Sequence, residues 1–149
     1  MLFSKGGTDV WIYTADGAPP DAARPTIETV RYDGKGRFTL SGRQLTGVNA
    51  GSTYGDDAES DENYPIVRFG QPGATKVWYG RTSNWKSTGV QVRKTTSTRF
   101  TLKTGTPSGL VSLVVSAAGV ESLPVCLTLT PDQVAGTGAA ADIPLQTCP

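Results

Sequence analysis

From Thr26 onward the chain repeats one pattern: short runs in which inward and outward positions alternate, each closed by a turn rich in glycine or proline. Phe100 and Leu102 alternate with Arg99, Thr101 and Lys103; Val90 and Val92 with Gln91 and Arg93; Val67 and Phe69 with Ile66 and Arg68. Successive side chains on a strand point to opposite faces, so runs of this kind make strands with one face buried and the other wet. The pattern predicts strands at 26–32, 37–41, 44–48, 66–69, 76–81, 89–93, 98–103, 110–116 and 123–130. Between them lie the turn signals "YDGKG", "GQPGAT", "KTGTPSG" and "AAGVES". Short strands at this spacing, with no sustained helical periodicity, predict an all-β antiparallel sandwich whose core contains no helix. The 149 residues suffice for one such domain.

The flanks read differently. A strand is expected at Val10–Thr14, followed by "ADGAPPDAARP" (15–25), whose three prolines make a linker or extended crossover. Residues 131–149, small and flexible by composition, read as a tail pinned only by Cys148. No apolar run approaches the roughly 18 residues that a membrane-spanning helix needs, so membrane insertion is not expected. Residues 1–7 lack the apolar stretch of a signal peptide, which suggests a trimmed start or a piece of a longer protein.

The net charge is +1, but residues 1–62 hold ten acids against six bases, residues 63–120 hold eight bases and no acid, and residues 121–149 hold three acids and no base. Nucleic-acid binders are usually basic overall, so that partner is not expected. Acidic and basic stretches instead balance one another across the fold.

Two cysteines remain to be placed. In "VCLTLT", alternation puts Val125, Leu127 and Leu129 on one face and Cys126, Thr128 and Thr130 on the more polar one. A thiol on that outer face suits a bridge to Cys148, which would stabilise the fold by roughly 3 kcal/mol; two unpaired thiols are the alternative. A bridge implies an oxidising compartment: periplasm, cell surface or medium.

"RPTIETV", then "GRFTLSGRQLTGVNAGSTYGDDAESDENYPIVRF" and "KVWYGRTSNWKSTGV", resembles an immunoglobulin-like domain of the IPT/TIG kind, over residues 24 to 130. The resemblance is to the version that closes secreted kelch-type β-propeller proteins, the galactose-oxidase-like group included. Its elements are Arg24-Pro25, Leu45-Thr46-Gly47, Tyr54-Gly55-Asp56-Asp57, Asn63-Tyr64-Pro65, Arg81-Thr82 and Ser87-Thr88-Gly89-Val90, with "ESLPVCLTLT" as closing strand. It implies an immunoglobulin-like sandwich at 25–130, a last propeller strand and linker at 1–24, a tail at 131–149, and a β-propeller domain as partner. In galactose oxidases a histidine of the C-terminal domain helps to bind copper; this chain has no histidine, so that role has no residue here.

The missing histidine also removes the commonest general base and the usual zinc or copper ligand, and a serine nucleophile would lack its usual partner. Calcium is the remaining metal to weigh, since "YGDDAESDENYP" packs five carboxylates into seven positions. Asp56, Asp57, Glu59 and Asp61 with loop carbonyls could supply its oxygens, although the spacing is not that of an EF-hand. The alternative is a solvated loop in which Asp56 and Asp57 accept backbone hydrogen bonds. Among the aromatic residues Trp11, Trp78, Tyr79 and Trp85, Trp78 and Tyr79 point to opposite sides of one strand. Trp85, with Arg81 and Asn84, has the composition of a sugar-stacking platform. The sequence thus reads as a non-catalytic extracellular accessory domain without a cofactor, or else as a standalone module that binds carbohydrate or a cell surface.

Overall fold

In a computed structural model, which describes residues 2–3, 11–12, 17–18, 20–48, 64–86 and 94–149, the alternating runs pair as antiparallel strands. A ribbon joins β1 (Leu2–Phe3) to β2 (Trp11–Ile12). The main sheet comprises β3 (Thr26–Gly34), β4 (Arg37–Arg43), β5 (Ile66–Gly70), β6 (Val77–Ser83), β7 (Thr95–Thr101), β8 (Gly109–Ala117), β9 (Val120–Glu121), β10 (Val125–Leu129) and β11 (Ala141–Ile143). Its hydrogen-bonded order is β10-β8-β5-β6-β7-β4-β3-β11, with β9 on β8.

The sheet curls because β6 changes partner along its length. Its first half pairs with β5 (Val67↔Gly80, Phe69↔Trp78), and its second half pairs with β7 (Arg81↔Thr101, Ser83↔Arg99). Gly80 sits at the changeover for a steric reason. A Cβ there would lie 3.2 Å from Phe100 Cδ2 and 3.3 Å from Phe69 Cε2, so a side chain would press on both rings and glycine fits without displacing them.

Curling brings the inward faces of β3, β4 and β7 against those of β5, β8 and β10. Val30, Tyr32, Phe38, Leu40, Phe100, Val67, Phe69, Val111, Leu113, Val115, Leu127 and Leu129 share one core. An aromatic row crosses it: Tyr32 and Phe38 have ring centroids 4.9 Å apart, Phe38 stacks on Phe100 at 5.0 Å, and Phe100 meets Phe69 at 5.4 Å. Full burial of each such ring contributes roughly 1.5–3 kcal/mol, and each ring pair about 0.5–1.5 kcal/mol more. The Tyr32 hydroxyl, buried with its ring, accepts a hydrogen bond from the Gly36 amide at 3.1 Å, which offsets the cost of burying a polar group.

Residues 131–149 differ from the expected tail, because they are built into the fold. Helix α1 (Pro131–Ala135) starts with a capping box: the Thr130 hydroxyl accepts from the Gln133 amide and the Gln133 side chain accepts from the Thr130 amide. Strand β11 then pairs with β3. Three residues later the Gln146 amide donates to the Cys126 carbonyl and the Gln146 carbonyl accepts from the Cys126 amide, both at 2.8 Å. The chain from β11 to Gln146 therefore runs from the β3 edge of the sheet to the β10 edge. Both edges that would otherwise present unpaired backbone are partly covered by this strap.

The Cys126–Cys148 disulfide fastens the strap, with Cα atoms 4.9 Å apart. Cys126 lies on the side of β10 away from the core, as alternation predicts, but it is not wet: the returning chain buries it completely.

Two expected strand boundaries also move. Residues 44–48 form a turn and not a strand: Gln44 has φ 55° and its carbonyl accepts from the Gly47 amide at 3.0 Å. Leu45 is buried all the same, which is why the apolar pattern resembles a strand. Strand β10 begins at Val125 because Pro124 has no amide to donate and disfavours regular pairing of its neighbour. The strand expected at 89–93 lies outside the described residues.

Candidate functional site

The candidate binding residues fall on β6 and its exit. Along β6 the exposed positions are Val77, Tyr79, Arg81 and Ser83, with the intervening residues half-buried. Tyr79 is 54% exposed. Trp78, by contrast, packs against the core and carries the Lys76 ammonium 5.1 Å from its ring centre, an arrangement suited to cation–π attraction and not to ligand stacking. Asn84, at φ 49°, turns the chain off the strand. Trp85 follows, 40% exposed, and stacks on Tyr64 with centroids 5.3 Å apart and planes 28° from parallel.

The structure therefore joins Trp85 to Tyr64 at the start of β5, a neighbour that the sequence pattern does not supply. Arg81 stands on the solvent face of the strand leading to this pair, and Asn84 serves the turn between them. Asp56, Asp57, Glu59 and Asp61, the carboxylates considered for calcium, lie outside the described residues.

A second feature lies where the chain enters β3. Residues Asp21–Ala23 form a 3-10 turn, with Ala23 and Pro25 buried. Arg24 holds this lead-in twice, by an ion pair to Asp21 at 2.8 Å and by a hydrogen bond to the Glu121 carbonyl at 3.0 Å. The Gln44 side chain donates to the Ala22 carbonyl. This segment is docked on the domain. Beside it lies an open groove of about 830 Å³ whose apolar wall includes Ala22, Pro25, Ile27, Leu123 and Val125. Leu123 is 71% exposed, more than any other large apolar side chain described. The change of conformation forced by Pro124 leaves it outside β10 and over the groove.

The third feature is electrostatic. On the outer face of β3, β4 and β7, Asp33 lies 3.8 Å from Arg31 and 4.0 Å from Arg99 and accepts from the Thr39 hydroxyl at 2.6 Å. Arg31 also pairs with Asp142 at 2.9 Å, and Arg43 with Glu28 at 2.8 Å. Such exposed pairs contribute little stability, roughly 0–1 kcal/mol each, but they neutralise much of this face. Among the described residues no group of three or more His, Cys, Asp or Glu is arranged to hold a metal ion.

No protein-family model matches the chain, and no curated protein or solved structure gives a significant match.

Proposed function

We propose that the chain is an immunoglobulin-like β-sandwich of the IPT/TIG kind, acting outside the cytoplasm as the non-catalytic C-terminal accessory domain of a secreted kelch-type propeller protein. Support for the fold assignment comes from strand order. Taking β3, β4, β5, β6, β7, β8 and β10 as A to G, the order A-B-E-D on one side and C-F-G on the other is that of the immunoglobulin constant type. In this assignment β6 serves both sides. The disulfide agrees with an oxidising compartment, and the propeller association rests on the sequence resemblance.

The observation that carries the functional reading is the groove under Leu123, next to the anchored lead-in. A domain attached before residue 20 would leave the chain at this groove in a fixed direction and cover its apolar wall. Burying Leu123 there would contribute roughly 1.5–3 kcal/mol. The test is the reading frame upstream of Met1 in the gene: kelch-type repeats in frame support the accessory role, and a stop codon directly before Met1 overturns it.

A second reading, a standalone carbohydrate-binding module, is favoured by the half-open Tyr64–Trp85 stack, since a sugar ring can lie on an exposed aromatic face. Retention of Trp85→Ala equal to wild type on a panel of insoluble polysaccharides would dispose of it.

A further inference from the structure

Arg31, Arg43 and Arg99 on the outer sheet face are each answered by a carboxylate. Arg37 and Arg81 are not: among the described residues neither makes an ion pair or a side-chain hydrogen bond, and both are exposed. The two are held in relation by the sheet. Arg37 on β4 and Arg81 on β6 are both in register with Thr101 on β7, so all three side chains leave the same face. Two strand spacings put the arginine Cα atoms about 10 Å apart. Lys103 continues the exposed row of β7, and Tyr79 precedes Arg81 on the exposed row of β6.

We propose that Arg37, Thr101 and Arg81, flanked by Tyr79 and Lys103, form a binding face for an extended anionic polysaccharide. The shared chemistry is a carboxylate or sulfate group repeated along a sugar chain. Guanidinium groups bind both in bidentate fashion. Thr101, with Ser83 in the next row, offers hydroxyls to sugar hydroxyls, and Tyr79 offers a ring face. A polynucleotide would call for a denser basic surface than a chain of net charge +1 carries. An open strand face also suits a long flexible chain, since it spans several sugar units without a cleft. The proposal is independent of the groove under Leu123 and shares Arg81 with the carbohydrate platform read at Trp85.

Affinity electrophoresis tests it, with native gels containing polygalacturonate, dextran sulfate, neutral dextran or a single-stranded oligonucleotide. The wild-type chain is expected to be retarded by polygalacturonate, dextran sulfate or both, which distinguishes a uronate from a sulfate ligand, and retardation should fade as salt screens the exposed charges. Arg37→Gln with Arg81→Gln should weaken retardation about tenfold or more, the loss expected for one or two charge-assisted bonds. Arg37→Lys with Arg81→Lys should retain part of it. Arg31→Gln with Arg43→Gln should stay within about twofold of wild type. Melting temperatures check that each variant is folded. The proposal is overturned by an unretarded wild type, by equal retardation of the double glutamine variant, by an equal loss in the control pair, or by equal retardation in the oligonucleotide gel.

Discussion

Replacing Cys148 by Ala removes the fastening of the strap and leaves its non-covalent contacts in place. The disulfide closes a loop with a sequence separation of 22. On the chain-entropy treatment, that loop restricts the unfolded chain by about 11 cal/mol/K, equivalent to about 3 kcal/mol at 25 °C. In the folded state the two Cys126–Gln146 bonds, the β11–β3 pairing and the α1 capping box do not require the bridge. The loss should therefore act through the unfolded ensemble. Urea titrations followed by tryptophan fluorescence should show Cys148→Ala less stable by about 3 kcal/mol, with an m-value no smaller than wild type because the released chain expands further. Thermal melts should fall by roughly 6–12 °C, at about 2–4 °C per kcal/mol for a chain of this size. Wild-type protein with reductant should behave like the variant. A difference below about 1 kcal/mol would refute the reasoning and put the stability of the strap in its own contacts.

Three further substitutions probe the core and the strap. Gly80→Ala places a methyl group against Phe69 and Phe100 and should destabilise by about 1–3 kcal/mol in urea titration. Thr96→Val should stabilise by about 1 kcal/mol, because Thr96 Oγ1 is buried with no hydrogen-bond partner among the described residues and the swap removes that unsatisfied group. Gln133→Ala takes away half of the capping box and should cost about 1 kcal/mol, with amide exchange faster at residues 130–136 than in the rest of the domain.

Alternation alone located the faces of β5 and β7, since Val67, Phe69 and Phe100 are buried and Arg99, Thr101 and Lys103 are not. It failed at residues 44–48 because a buried turn and a strand can present the same apolar spacing; the left-handed Gln44 is invisible to periodicity. Composition alone makes residues 131–149 look like a tail, although "TPDQ" at 130–133 carries a capping-box signature that announces a helix start. Of the proposed binding face, the sequence offers Arg81 and the outward basic rows but not their grouping. Arg37, Thr101 and Arg81 become neighbours only through pairings between distant strands, and which arginines lack a carboxylate depends on the same long-range register. The Tyr64–Trp85 stack belongs to this class too. Leu123 was within reach of the sequence, because a large apolar residue directly before a proline cannot be counted as an ordinary inward strand position.

The proposed accessory role rests on the groove beside residues 21–27, and hydrogen–deuterium exchange tests it directly by comparing the 149-residue chain with the same chain joined to any propeller domain encoded in frame before it. The account predicts slower exchange at residues 21–27, 43–45 and 122–125 in the longer protein, with the rest of the sheet unchanged. Equal exchange at those residues in the two proteins would contradict it.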